Sequence, residues 1–215
     1  MRIGQLKSRL YFITDEQSSH GRSVEETVRL AIEGGVGLVQ YREKSKTIRQ
    51  MVDEAGDLMR LARKARVPFI VNDRVDVALA ATADGVHLGS DDMPAAVARR
   101  LMGPRAIVGV TVSSAADALE AQRQGASYVA IGPIFPSATK PDVCAVGVEA
   151  IAQIAAAVKL PVCAIGGITA QNIGQLRDTA TALVAVVSAI TAAQDPRAAA
   201  RALLQAMESH AKTDG

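Results

Sequence analysis

Aromatic side chains are nearly absent from this 215-residue chain, which has three Phe, three Tyr and no Trp, 3% in all. Hydrophobic residues still make up 49%, so the core must be Ala, Val, Ile and Leu, which suits parallel strands buried on both faces and helices packed on them. Cysteine is equally scarce. Cys144 and Cys163 have no CxxC spacing and no nearby histidine partner, so neither a disulfide framework nor a zinc site is indicated, and both read as reduced thiols of structural role. Neither sign of charge prevails. With 24 basic and 22 acidic side chains the formal charge is +2, and no basic stripe interleaves with aromatics, so nucleic acid is not an expected partner. Long apolar runs are missing as well. The longest uncharged stretch, Thr179 to Gln194, is shorter than the roughly 18–20 residues of a membrane span and rich in Thr and Ala, so it reads as a buried strand and its loop. The apolar stretch from Leu10 is cut short by Asp15, unlike a signal peptide. A cytoplasmic protein with no membrane partner is expected.

What the chain does have is alternation. Short β-branched runs are expected as strands at Leu10–Thr14, Val36–Tyr41, Pro68–Val71, Gly85–Leu88, Ala106–Val110, Tyr128–Ile131, Val162–Ile165 and Ala182–Val187. Between and after them, apolar spacing predicts helices over Ser23–Glu33, Thr47–Ala65, Met93–Leu101, Ser114–Gln124, Val148–Val158, Ala170–Arg177 and Pro196–Ser209, with a short one after Asn72. Gly34-Gly35, Gly103-Pro104 and Gly125 supply stop signals. Eight strands with a helix after nearly every one is the arithmetic of an α/β (β/α)8 TIM barrel. No linker divides the chain, so residues 1–215 are expected as a single domain, with 1–9 and 210–215 as flexible termini. Helix-face apolar residues would serve an interface or the core equally, which leaves homo-oligomerisation open.

Five polar clusters each follow an apolar run: QYREK from Gln40, NDR from Asn72, HLGSDD from His87, GPIFPSATK from Gly132 and IGGIT from Ile165. In a parallel barrel all of them emerge at the carboxyl-terminal face, where such folds build their sites. Gln40, Arg42 and Lys44 alternate along an extended end and should share one side. A buried cation pair there would need an anionic ligand; the alternative is pairing with Glu43 or other surface acids. Asp73 and Asp92 each follow a strand and could hold a hard divalent cation, or could simply cap helices or sit in solvated turns. His87 reads as a hydrogen-bonded core residue rather than a catalytic base. Gly166-Gly167 after the seventh strand and Val187-Ser188 after the eighth could cradle phosphate with backbone amides, or merely turn the chain. The one long connection, Gly132–Gly147, carries Thr139 and Lys140 and reads as a functional loop. Two anion sites suggest two phosphorylated small-molecule substrates or one bisphosphate.

Six motifs in order, QYREK, NDRVD, ADGVHLGSDD, GPIFPSATK, AIGGIT and VVSAI, resemble the thiamine-phosphate synthase family from about Leu10 to Pro196. The resemblance implies a transferase of thiamine biosynthesis. It couples 4-amino-2-methyl-5-(diphosphooxymethyl)pyrimidine with a thiazole phosphate and releases pyrophosphate. By the same resemblance, Gln40, Tyr41, Arg42, Glu43, Lys44, Asn72, Thr111 and Lys140 hold the pyrimidine diphosphate, with Arg42, Lys44 and Lys140 catalytic. Asp73 and Asp92 bind Mg2+, and Ser137, Ala138, Thr139, Gly167, Val187 and Ser188 bind the thiazole phosphate. The chain departs from the family pattern at Thr111, where serine is usual, and at Ser113, where a histidine is usual. Ser90, Ser137 and Thr179–Thr181 differ too. The nearest rivals are the TenI-like thiazole tautomerase branch, which needs no metal-bound diphosphate, and a non-catalytic phosphate-binding barrel. Asp73, Asp92 and Lys140 together favour the synthase.

Overall fold

The computed structural model describes residues 3–136 and 144–208. Eight parallel strands, β1 (Leu10–Ile13), β2 (Leu38–Tyr41), β3 (Phe69–Asn72), β4 (Gly85–Leu88), β5 (Ile107–Thr111), β6 (Tyr128–Ile131), β7 (Val162–Ile165) and β8 (Thr181–Val186), pair in chain order and close through β8–β1. Around them lie α1 (Val24–Gly34), α2 (Ile48–Ala65), α3 (Val75–Ala80), α4 (Ala95–Met102), α5 (Ala115–Arg123), α6 (Glu149–Ala157), α7 (Ser188–Thr191) and α8 (Pro196–Glu208). This is the (β/α)8 barrel that the alternation predicts.

Local chemistry sets the boundaries. Ser23 and Ser114 accept the N3 amides of α1 and α5, and Thr47 forms a capping box with Gln50 at the start of α2. Gly35 ends α1 at φ 105°, a left-handed conformation that costs glycine nothing. One expected helix is reduced. In place of Ala170–Arg177 there is only a 3-10 turn over Ile173–Leu176, because the Asn172 side chain is spent locally: its Oδ1 accepts from Thr169 N at 2.8 Å, and its Nδ2 donates to Gly167 O at 2.8 Å. Such side-chain to backbone bonds compete with helix formation.

Strand alternation divides the core in two. Tyr11, Ile13, Leu38, Ile70, Ile107, Tyr128, Cys163, Leu183 and Ala185 point into the lumen and form their own cluster, while the larger cluster lies between strands and helices. Residues 3–9, part of the expected flexible lead, pack under the barrel. Ile3 packs into the lumen cluster, Lys7 donates to Ala65 O, and Arg9 donates to Thr181 O. The expected tail 210–215 lies outside the described residues. No helix among the described residues is long and apolar enough to cross a membrane.

Candidate active site

Above the apolar layers the lumen is closed by a row of polar groups. Gln40, 1% exposed on β2, donates through Nε2 to the Tyr11 hydroxyl. Tyr11 and Tyr128 hydroxyls lie 3.0 Å apart, Tyr128 Oη is 2.8 Å from His87 Nδ1, and His87 Nε2 is 2.9 Å from Thr111 Oγ1. Five side chains from five strands thus cross the barrel in one chain. The rings are packed as well as bonded: Tyr11 meets Tyr128 edge-on at 6.2 Å, and His87 stacks on Tyr128 at 5.7 Å. Burial holds His87 neutral, with its pKa lowered to about 4 despite the charge of Asp73, and keeps both phenols protonated. Gly109 makes the space for this row. A Cβ there would come 2.5 Å from Tyr128 Cε1 and closer still to Cζ and Oη.

A charged cluster lies where β2, β3 and β4 end. The carboxyls of Asp73 and Asp92 are within hydrogen-bonding reach of each other, and the Lys44 ammonium pairs with Asp73. Burial and the neighbouring Asp73 raise the Asp92 pKa. For Asp73, burial pushes the same way, but the bonds from Asp92 and Lys44 prevail and lower it. Of the two, Asp92 is therefore the first to take up a proton as pH falls. Neither aspartate caps a helix, since α3 starts after Arg74 and α4 after Pro94. Asp92 instead closes its own turn by accepting Gly89 N at 2.7 Å, and Asp73 sits at φ 61° with its amide on His87 O. Among the described residues no group of three or more His, Cys, Asp or Glu could hold a metal. The two carboxylates are an all-oxygen donor set of the kind that binds Mg2+ together with waters and substrate phosphates.

The QYREK segment divides by strand alternation. Gln40 faces the lumen, but Tyr41 faces α2, where its hydroxyl donates to Glu54 at 2.6 Å. Glu43 is also turned to the scaffold. It accepts from Lys44 N at 2.7 Å, Ser45 N at 2.6 Å, Ser45 Oγ at 2.8 Å and Lys46 N at 3.3 Å. Burial pushes its pKa up, yet these donors win and bring it down to about 2. Tyr41 and Glu43, which the family resemblance placed among the diphosphate ligands, thus engage the scaffold in this structure: Tyr41 on the opposite face of β2 and Glu43 within its own loop. Arg42 is fixed through its backbone, its amide donating to Thr14 Oγ1 at 2.9 Å and its carbonyl accepting from the same hydroxyl. Asn72 follows Ile70 in the inward alternation of β3 and pairs in register with His87. A cleft of about 540 Å3 runs from the ends of β4 and β5 out between α4 and α5, lined by Gly89, Asp92, Thr111, Ser113, Ala95 and Gln124.

The opposite side of the mouth is made of backbone. Gly166 and Gly167 have φ of 93° and 68°, and the segment after β6 crosses directly over them, with Phe135 N donating to Gly166 O at 3.1 Å. A Cβ on Gly166 would lie 2.6 Å from Pro133 Cα, and one on Gly167 would lie 2.5 Å from Pro136 O. Val187 precedes the single turn of α7, and its carbonyl takes the amides of Ile190 and Thr191, leaving Ser188 exposed at the rim. Ser137, Ala138, Thr139 and Lys140 lie outside the described residues. Tyr11, Tyr128 and Gly109 were not foreseen as part of the site. The available signal was polar aromatics and a glycine inside strand runs.

The profile of the thiamine monophosphate synthase family matches residues 10–190. The thiamine-phosphate synthase of Chloroflexus aurantiacus is 50% identical over 196 residues, covering 91% of this chain and 90% of that protein. The thiamine-phosphate synthase of Haloarcula marismortui is 46% identical over 93% of this chain and 96% of its own. Among solved structures, the thiamine phosphate pyrophosphorylase of Pyrococcus furiosus superposes with a TM-score of 0.86 at 40% identity, covering 94% and 96% of the two chains. With a profile that spans β1 to α7 and relatives this similar over nine-tenths of their length, the chain belongs to the thiamine monophosphate synthase family.

Proposed function

We propose that this barrel is a thiamine-phosphate synthase. It joins 4-amino-2-methyl-5-(diphosphooxymethyl)pyrimidine to a thiazole phosphate and releases pyrophosphate. One observation carries the reading: the Asp73–Asp92 pair with Lys44 stands at the mouth across from the backbone-lined ends of β7 and β8, in a chain of this family. The first suits a diphosphate and the second a phosphate monoester.

Departure of pyrophosphate leaves a pyrimidinylmethyl cation whose charge the electron-rich ring shares, so the thiazole nitrogen attacks without a strong general base. Catalysis then rests on neutralising the leaving group and holding the two rings together. Lys44, Arg42 and Lys140 supply positive charge to the diphosphate, and Asn72 and Thr111 donate to it. Asp73 and Asp92 would hold Mg2+, which would supply charge neutralisation to the departing pyrophosphate. Gln40, buried at the floor, faces the pyrimidine ring. Gly167, Val187 and Ser188 receive the thiazole phosphate largely through amides, with Ser137, Ala138 and Thr139 from the adjoining loop. A cytoplasmic location is part of the same proposal.

The test supplies both heterocycles and Mg2+ and monitors pyrophosphate release. Asp92→Ala removes a metal ligand and one turn contact, Gly89 N, so turnover falls by at least about 100-fold while the fold persists. Unchanged turnover in that variant rejects the metal site, and no release from the wild-type protein favours a ligand-binding barrel over an enzyme.

A further inference from the structure

The row Gln40–Tyr11–Tyr128–His87–Thr111 has a property that its separate bonds do not: each inner member is able to give one hydrogen bond and take one along it. Its direction is therefore set as a whole. Gln40 Nε2 can only donate, so the Tyr11 oxygen accepts, and Tyr128 Oη at 3.0 Å is the partner to which Tyr11 can pass its own proton. Tyr128 then passes its proton to His87 Nδ1, which must be the bare nitrogen, and the histidine carries its hydrogen on Nε2 and gives it to Thr111 Oγ1. The Thr111 hydroxyl hydrogen is left over. It is free to donate into the cleft that Thr111 lines beside Gly89 and Asp92.

We infer that this row is a proton-ordered relay in which Tyr11 and Tyr128 are positioning residues that fix the His87 tautomer and hold Thr111 as an outward donor to an anionic ligand. Reversal of the Gln40 amide would reverse every bond in the row and turn Thr111 inward as a donor to His87. The orientation of the amide at one end and the donor at the other are thus a single choice. Both phenols are fully buried and locked by ring packing, so solvent reaches the row only at its Thr111 end. The ligand half of this inference rests on the reading above that the β5 end faces the diphosphate; the tautomer does not.

The experiment is nitrogen-15 NMR of histidine-labelled protein, with the His87 signals assigned among the three histidines by their loss in His87→Asn. Wild-type protein is expected to show hydrogen on Nε2 and a bare Nδ1. A hydrogen on Nδ1 overturns the relay whatever the enzyme does. Tyr128→Phe keeps the ring and removes the link, and it is expected to mix the tautomers. Binding of inorganic pyrophosphate with Mg2+ then weakens by roughly tenfold, the size of one misdirected hydrogen bond to a charged group, with KM for the diphosphate substrate raised and KM for the thiazole phosphate unmoved. Unchanged tautomer and unchanged pyrophosphate affinity in folded Tyr128→Phe overturn the positioning role. Should Tyr128→Phe not fold, Tyr11→Phe cuts the same row one bond earlier and is judged by the same two readings. If the tautomer and pyrophosphate results hold but no coupling occurs in wild type, the relay stands and the proposed function falls.

Discussion

Replacing Gly109 by alanine sets two effects of opposite sign against each other. Gly109 lies in β5 and is not among the residues of positive φ, so alanine fits its backbone, and the loss of unfolded-state freedom alone would stabilise the protein by about 0.4–1 kcal/mol. Packing says the reverse. The new methyl would overlap the Tyr128 ring, 2.5 Å from Cε1 and nearer to Cζ and the hydroxyl, and that side chain is wholly buried between Tyr11 and His87. Overpacking of this kind costs about 1–3 kcal/mol. Displacing the phenol also breaks its bonds to Tyr11 and His87, and each polar group left buried and unpaired adds roughly 1–3 kcal/mol. The net expectation is a loss of about 5 kcal/mol, or about 10–20 °C in Tm for a chain of this size. Thermal and urea unfolding of the variant measure it. In a Tyr128→Leu background the clash is gone, so the same glycine substitution becomes neutral or mildly stabilising, and the double-mutant cycle shows strong coupling. A Gly109→Ala protein as stable as wild type, or additive costs in the cycle, would refute the claim that this glycine exists to seat the phenol.

Acid stability should report on His87. Its pKa is near 4 folded and about 6.5 unfolded, so between these values the unfolded chain binds the extra proton and stability rises with pH, by about 3 kcal/mol across the window and fully present above it. Asp92, raised by burial and by Asp73, acts in the opposite sense, so the comparison is with His87→Gln; an unfolding free energy equally steep between pH 4.5 and 6.5 in that variant would rule out His87 as the source. Glu43→Gln weakens a carboxylate that four donors address, and it is expected to cost about 1–2 kcal/mol and to raise KM for the diphosphate substrate several-fold through loss of Lys44 placement, with little change in kcat. Steady-state kinetics with a near-normal KM would place the loop's order elsewhere.

How much of this was legible in the chain depends on whether the signal was local. The eight strands were, because each apolar run ends in a polar cluster and parallel pairing brings all those ends to one face. Asp73, Asp92 and Lys44 could be assigned to that face for the same reason, although their mutual contact could not be read. Tyr41 and Glu43 entered the diphosphate set only through the family resemblance; strict alternation from Gln40 sends Tyr41 to the helix layer, where Glu54 waits on α2. The Ala170–Arg177 segment shows a local signal overridden by another, since helical spacing loses to the Asn172 side chain. The relay was invisible for a different reason. Tyr11 sits in the run Leu10–Ile13 and counts there as one more apolar residue, and its partner hydroxyl is 117 positions away. The scarcity of aromatics nonetheless contained the clue. A core of Ala, Val, Ile and Leu fills the layers without polar atoms, so a tyrosine is retained only where its hydroxyl has a partner. All three tyrosines, Tyr11, Tyr41 and Tyr128, are buried with hydroxyls bonded, and two of the three lie in the row that spans the site. In a barrel this poor in aromatic residues, a tyrosine inside a strand is evidence of a buried polar contact, whereas Phe12 and Phe69 in β1 and β3 supply bulk.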